Sequence, residues 1–437
     1  MDWGAHAPSR AGDGALAIAN LLLSELFGEA PKRAREARAL PRLNRTFWPW
    51  TRAEAHPSET ECGRHGRRYR LKFSRADCLD NVSVLLSRMK ERTPAELGYR
   101  MPAEWERHEA TWLSWPRREG ISFPGSFDRV LPALRAMVAA LIESERVCIN
   151  VCNGAHEAEA MEVLRDLDPA RITFHRIPTN EPWCRDHGPV FLTRSKQPRL
   201  AIVDWDYNAW GGKYPPCDLD EVVPTRVGEI LDVPVFYPRM ILEGGSIEVN
   251  GTGALLTSES CLLNKNRNPD LKRDQIEERL RDYLGVREVL WLGRGIDGDD
   301  TDGHIDDLAR FVRERVVVTV VEEKRDSPNY EALRENLARL RSMKIEGKSL
   351  EVFELPMPRR IVREDLVLPA SYANFYIANN CVLLPTFADP TDEPARETLQ
   401  KLFPDRKVVG IDCRELIWGL GTFHCLTQQQ PAPGVRG

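Results

Sequence analysis

One pattern recurs along this chain and constrains its fold more than any other. A small or glycine-containing polar turn adjoins a strand-like run at residues 109–116, 185–193, 243–249, 303–312, 371–378 and 421–428. Successive starts lie 76, 58, 60, 68 and 50 residues apart, usually with a helical stretch between them. Repeats of this length are each one supersecondary unit that buries its apolar face against its neighbours. The polar residues collect at the turns. That points to a closed, pseudo-symmetric array with one central site. Six turns fit five units if the first and last share one.

The texture between the turns is α/β. Period-3.6 or otherwise helical runs are predicted at 126–143, 157–167, 271–284, 329–343 and 396–402. Short β-like runs are predicted at 146–151, 199–204, 254–257, 288–291, 315–321, 381–385 and 407–411. Strands alternating with helices are the signature of α/β layering.

Charge separates the first part of the chain from the rest. Residues 31–75 carry 13 Lys/Arg against 4 Asp/Glu, a net of +9, whereas the whole chain is −5 and the remainder −14. The basic stretch holds Pro31, Pro41, Pro49 and Pro57 and shows little periodicity. A nucleic-acid arm is one reading of it. A disordered extension is preferred, because Phe47, Trp48, Trp50, Tyr69 and Phe73 are too few and irregular for a stacking platform. No nucleic-acid partner is expected. Residues 1–88 are therefore read as an extension, disordered or translated from upstream of a start at Met89. Residues 89–437 are read as the catalytic domain.

Composition excludes several classes. At 437 residues, 42% hydrophobic and 29% charged, the chain reads as an ordinary soluble globular protein. Its ten cysteines show no repeated paired spacing. That implies reduced thiols and a cytoplasmic location. Cys148 and Cys152 adjoin a strand-like run and read as packing rather than metal ligands. No run reaches the roughly 18 apolar residues of a membrane span. Asp2 and Asp13 spoil a basic leader, and Glu25 interrupts the apolar stretch after it, so no secretory signal is expected.

Gly419-Leu420-Gly421 precedes a cysteine, Cys425, in a short β-like run. Such a thiol is a buried filler or a nucleophile. His424 is its obvious neighbour and a poor partner, since adjacent residues on a strand face opposite sides. It is expected to point into packing. His304 is the better base, because Cys–His pairs of this kind are spatial, not local. In an extended segment His304 and Asp306 share a face, which suits a general acid/base beside a cation-holding carboxylate. A structural His/Asp pair is the alternative. Asp186, after Trp183-Cys184-Arg185, is either a cation-gripping carboxylate with an aromatic wall or a turn residue. Glu243, before Gly244-Gly245, either orients His304 through a hydrogen bond or closes a turn.

Three motifs fail. Gly293-x-Gly295-x-x-Gly298 mimics a dinucleotide loop, but Asp297, Asp299, Asp300 and Asp302 would repel a pyrophosphate there. Read as a calcium loop, the same run puts Gly298 and Ala309 at ligating positions. No phosphate-binding Walker loop, zinc helix or serine elbow is present. What remains is a thiol, an imidazole and several carboxylates, with no metal set. A small cationic substrate with an electrophilic carbon fits them, a guanidinium best. Carboxylates grip its nitrogens as a planar fork and leave the carbon open to sulfur.

The motifs taken in order resemble the agmatine deiminase family. They are Met101-Pro102-Ala103-Glu104-Trp105-Glu106, Trp112-Leu113-Ser114-Trp115-Pro116, Trp183-Cys184-Arg185-Asp186-His187-Gly188-Pro189 and Leu242-Glu243-Gly244-Gly245. Asn264-Lys265-Asn266-Arg267, Asp300-Thr301-Asp302-Gly303-His304-Ile305-Asp306, Ser371-Tyr372-Ala373-Asn374 and Phe423-His424-Cys425-Leu426-Thr427-Gln428-Gln429 complete the set. The resemblance spans roughly residues 93–430. It implies the pentein fold, a five-bladed pseudo-symmetric β/α propeller, with no metal or organic cofactor. It implies that Cys425 attacks the guanidinium carbon of agmatine and that His304 serves as acid and then base. Asp186 and Asp306 would hold the nitrogens, Glu243 would position His304, Trp183 would flank the alkyl chain, and Asn374 would line the pocket. Asp300 would lie near the distal amine. The products would be N-carbamoylputrescine and ammonia, on the route to putrescine and other polyamines. Leu420 interrupts the family's usual glycine run, and Thr422-Phe423 replace an Asn-Ile pair.

Three rivals stand beside this expectation. A deiminase of free or peptidyl arginine would need arginines near the far end of its pocket. A nucleic-acid- or protein-binding module would use the basic arm and turn nothing over. A metal hydrolase would use His304 and Asp306. The sequence leaves a homo-oligomer open.

Overall fold

The computed structural model describes residues 92–432. The expected extension at 1–88, its basic stretch and the start at Met89 lie outside the described residues. Residues 92–432 fall within one compact unit.

Five sheets are built by one rule: an antiparallel pair, then a strand parallel to its second member. They comprise Val190–Thr193, Leu200–Val203 and Val235–Phe236; Ile247–Val249, Ala254–Ser258 and Glu288–Leu292; and Ala309–Arg313, Val316–Val321 and Glu351–Pro356. The fourth is Tyr376–Ile377, Cys381–Thr386 and Lys407–Asp412. The fifth joins the ends of the described chain. Thr427–Pro431 pairs antiparallel with His108–Ser114, which continues in parallel to Arg146–Asn150 and then Ile172–His175. Residues 109–116 are thus no sixth unit. They are the central strand of the sheet that Thr427–Pro431 opens.

Each parallel step needs a crossover, and a helix supplies it. Phe127–Leu141, Gly154–Leu164, Val223–Leu231, Arg273–Leu284, Tyr330–Ser342 and Asp392–Leu402 occupy those places. Their apolar residues recur at helical spacing. In Phe127–Leu141 the buried face is Phe127, Val130, Leu134, Met137, Val138 and Leu141. The predicted helices and strands all appear, with ends displaced by a few residues. Val223–Leu231 went unpredicted because Pro224 and Gly228 dilute its period. The central strands are β-branched and buried, as in Val316–Val321, which suits a strand covered on both sides. Among the described residues no helix is long and apolar enough to cross a membrane. All eight described cysteines are free.

Candidate active site

The turn before the first strand of every sheet carries a candidate site residue. Asp186 lies in the helical turn Cys184–His187, and Glu243 caps the 3-10 turn Gly244–Ser246. His304 caps the 3-10 turn Ile305–Asp307, which contains Asp306. Asn374 precedes Tyr376–Ile377, and Cys425 lies in the helical turn Phe423–Leu426. The β-like conformation expected around Cys425 is therefore a helical turn, and at His304–Asp306, where the sequence leaves helix or strand open, a 3-10 turn forms. Four of these turns converge, because Cys184–His187 packs against both Phe423–Leu426 and Gly244–Ser246, and the latter against Ile305–Asp307. Gly245 marks that point. A Cβ there would sit 2.6 Å from His304 Nδ1, 2.7 Å from Asp186 Oδ1 and 3.1 Å from Asp306 Oδ2.

A cavity of about 220 Å³ opens onto this cluster. Trp183, Asp186, Asp300 and Cys425 line it, with Glu181, Trp210 and Tyr214. Its rim is apolar, with Ile121, Leu366 and Trp418. His304, Asp306, Glu243 and Asn374 stand behind this lining. A larger groove of about 550 Å³, lined by Arg313, Arg315 and Arg406 among others, contains none of the candidate residues. Chemistry, not size, selects the smaller one.

Cys425 is held by its neighbours. Asn374 Nδ2 donates to Cys425 Sγ at 3.1 Å and to Asp307 Oδ1 at 3.0 Å, while its Oδ1 accepts from Thr422 Oγ1 at 2.7 Å. Asn374 therefore fixes the thiol instead of lining the pocket. Asp306 Oδ2 lies 3.6 Å from the sulfur. Burial, with Asp306, Asp307 and Asp186 nearby, raises the Cys425 thiol well above its ordinary range.

His424 does not point into apolar packing. Its Nδ1 lies 2.7 Å from Asp306 Oδ2 and its Nε2 2.8 Å from Glu104 Oε2. On a helical turn, consecutive residues are not forced to opposite faces, so the strand argument failed here. Glu104 also contacts Arg310 NH2 at 2.9 Å and Arg185 NH2 at 3.3 Å. Against the burial that would raise it, His424 keeps the Asp306 carboxyl below its ordinary value.

His304 is 1% exposed. Its Nδ1 is 3.7 Å from Asp186 Oδ1 and its Nε2 3.8 Å from Glu243 Oε2. Both distances exceed hydrogen-bond reach, so Glu243 faces His304 as an ion-pair partner. Glu243 Oε1 is taken by Arg267 Nε at 2.7 Å. Burial, the largest single influence, would lower the imidazole; Asp186, Cys261 and Glu243 together outweigh it and hold His304 well above its ordinary value. Asp186 is raised by burial and by Asp306. Its oxygens accept from Gly245 N and Trp210 Nε1, each at 2.9 Å.

Of the acidic run only Asp300 reaches the cavity, where its carboxylate accepts from Tyr214 OH. Asp299 accepts from the backbone of Thr301 and His304, and Asp302 pairs with Arg267 and Lys213. They shape the turn and do not face the cavity. Trp183 Nε1 donates to Ser122 Oγ at 2.8 Å, and its ring covers Gly419 and Gly421, where a Cβ would meet it at 2.8 and 2.6 Å. Leu420 between them adopts φ 69°, a left-handed conformation that glycine holds at less cost.

The family described as Porphyromonas-type peptidyl-arginine deiminase matches residues 100–431, which include every one of these turns. The chain belongs to that family. Its relatives include an agmatine deiminase of Medicago truncatula, 38% identical, with 78% of this chain and 99% of that protein covered. Among solved structures, an agmatine deiminase of Enterococcus faecalis superposes with a TM-score of 0.74 at 35% identity, covering 79% of this chain and 99% of that one. A substrate-bound agmatine deiminase of C. jejuni gives 0.71 at 30% identity, covering 77% and 97%. The chain is a hydrolase of this agmatine deiminase and pentein group.

Within the family frame the residues that the sequence passed over are Trp210, Tyr214, Glu181 and Cys261. Trp210 had a signal in Asn208-Ala209-Trp210-Gly211-Gly212. There Gly211 (φ 82°) leaves no room for a Cβ against Asn266 Nδ2, which would lie 2.3 Å away. Cys261 gave none; burial places it within 4.8 Å of donor atoms on Glu243 and His304.

Proposed function

We propose that this chain hydrolyses the guanidinium group of agmatine to N-carbamoylputrescine and ammonia. The observation that carries the reading is the make-up of the cavity. A thiol and Asp186 stand at one end and Asp300 lines the wall, and no Arg or Lys among the described residues lines it. A dication with a guanidinium at one end and an amine at the other matches that pattern. Arginine brings a carboxylate or carbonyl that would find no cationic partner there.

In this reading the five sheets are the blades of a propeller whose inner turns carry the chemistry. Asp186 and Asp306 grip the guanidinium nitrogens. Its positive charge favours the Cys425 thiolate: the thiol proton passes to solvent as the substrate binds, and the thiolate attacks the central carbon. His304, held protonated by its carboxylates, gives its proton to the departing ammonia. That leaves a thiouronium on Cys425. Neutral His304 then takes a proton from water as it attacks; the C–S bond breaks, and the remaining hydroxyl proton returns to the Cys425 sulfur as the ureido carbonyl forms. Trp183 flanks the alkyl chain and Asp300 takes the distal ammonium. The product would feed putrescine formation, and the eight free thiols suit a reducing cytoplasm.

The family description and the acid-lined cavity could also serve peptidyl arginine, and one experiment separates the two. Ureido-product formation is measured with agmatine, arginine and an arginyl peptide, on wild type and Cys425→Ala. Turnover of agmatine alone, lost in the variant, supports the reading. Ammonia release from arginine but not agmatine overturns the substrate. Full activity in Cys425→Ala overturns the mechanism.

A further inference from the structure

We propose that Glu243, Cys261 and His304 form a binding site for a zinc-like divalent cation, and that filling it switches the enzyme off. The three side chains come from different turns, and their donor atoms all lie within 4.8 Å of one another. Thiolate, imidazole and carboxylate together are the donor set that zinc takes, whereas magnesium and calcium prefer oxygen alone. A tetrahedral zinc with bonds of about 2.0–2.3 Å sets its ligands roughly 3.3–3.8 Å apart. Glu243 Oε2 and His304 Nε2 are already 3.8 Å apart.

A second observation points to a ligand. Glu243 Oε2 and His304 Nε2 are fully buried, yet neither has a hydrogen-bond partner among the described residues. Leaving such groups unpaired is costly, and ligation would satisfy both. The groups behind the ligands also suit a metal site. Arg267 Nε fixes Glu243 through Oε1 at 2.7 Å and leaves Oε2 free. Asp186 Oδ1 stands 3.7 Å from the other ring nitrogen of His304, the place where metal-binding imidazoles keep a carboxylate. Two anionic ligands offset the ion's charge beside the Arg267 guanidinium.

The consequence for turnover rests on the role proposed for His304. An imidazole whose Nε2 is bonded to a metal is no longer an imidazolium, so its Nδ1–H, the one on the Asp186 side, is too weak an acid to protonate departing ammonia. Cys261 is not in the cavity lining; its thiol faces the His304 imidazole, so its replacement removes the proposed ligand and leaves Cys425 itself in place.

The test reads the metal before it reads activity. Cobalt(II) replaces zinc as a visible probe, and the Cys425→Ala variant removes the nucleophile as a rival thiol. Titration of this variant should give one equivalent of cobalt with a thiolate-to-cobalt charge-transfer band. The band should vanish in Cys425→Ala/Cys261→Ala and in Cys425→Ala/Cys261→Ser. No band in the first variant, or one that persists in both double variants, overturns the site. With Cys425 intact, zinc should lower activity at least tenfold, reversibly by a chelator, and Cys261→Ala, each titration being read against its own metal-free rate, should lose that sensitivity. Cobalt binding without zinc inhibition would overturn the switch and count against His304 as the acid. Equal inhibition of Cys261→Ala would assign the metal to other ligands and also overturn it.

Discussion

His424 Nδ1 and Asp306 Oδ2 are 2.7 Å apart, and the opposite nitrogen of the same ring is 2.8 Å from Glu104 Oε2. Hydrogen bonds to carboxylates at both ends of the ring call for two N–H donors. The residue beside the nucleophile is thereby a strut for the carboxylate opposite it. Glu104 is itself anchored by Arg310, Arg185 and the Ile377 backbone N–H, at 2.7 Å for the last. The orientation of Asp306 is thus set from outside the cavity.

Replacing His424 with Ala should free Asp306 and leave two buried carboxylates short of a donor. A hydrogen bond to a charged group contributes about 1.5–3 kcal/mol, so kcat/KM should fall roughly ten- to a hundredfold. Binding of an unreactive guanidine to His424→Ala/Cys425→Ala should weaken by a similar factor relative to Cys425→Ala. If binding is unchanged while only the melting temperature drops, Asp306 does not depend on this strut.

Cys425 should be slow to react in the free enzyme. Burial comes first among the causes that raise its thiol, followed by Asp306, Asp307 and Asp186, with the Asn374 hydrogen bond opposing them. The thiolate is the reactive form. The rate of iodoacetamide inactivation should therefore still climb as pH passes 9, the ordinary thiol value. Cys425→Ala serves as the blank for the other thiols. A plateau near neutral pH would mean that the thiolate is already formed without substrate.

The sequence carried the site further than it carried the local backbone. Turn residues such as Asp186, Glu243, His304 and Cys425 stand next to glycine or proline punctuation, and strand periodicity exposed the elements between them. The helical conformations at Phe423–Leu426 and Ile305–Asp307 were illegible, because four-residue turns have no period to read. The partner of His424 was illegible for the same reason. Asp306 is 118 residues away, and only the packing of two sheets brings them together. Trp210 and Glu181 reach the cavity from loops whose polar and aromatic residues look, in sequence, like any surface turn. Among Asp299, Asp300 and Asp302, charge alone could not tell the cavity-facing residue from the two that hold the turn.

Asp204 should make stability fall as pH rises. It is 7% exposed, and burial, with Asp206 and Glu221 adding to it, raises its carboxyl from 3.8 to about 7 despite the Thr225 hydroxyl it accepts. A raised folded-state value means that the native state holds the proton more tightly than the unfolded chain. Its contribution is complete below pH 3.8 and is lost as pH rises to about 7. Each tenfold change in proton affinity is about 1.4 kcal/mol, so up to about 4 kcal/mol is at stake. Denaturant titrations of Asp204→Asn should show a flatter pH profile than wild type across this window. Parallel profiles would remove Asp204 as the cause.

Gly245→Ala is the sharpest test of how closely the turns converge. A methyl group there meets His304 Nδ1 at 2.6 Å, Asp186 Oδ1 at 2.7 Å and Asp306 Oδ2 at 3.1 Å. Gly245 is not among the glycines with positive φ, so alanine imposes no backbone strain and the whole effect is steric. All three neighbours are buried polar ends of short or stiff side chains, and they cannot swing aside without losing Trp210, His424 or Glu243 as partners. Displacements of this kind, near 1 Å at reacting groups, cost about a hundredfold in rate. The variant should fold, melt within a few degrees of wild type and lose about two orders of magnitude in kcat. Normal turnover by Gly245→Ala would mean that the three groups need not meet at that point during the reaction.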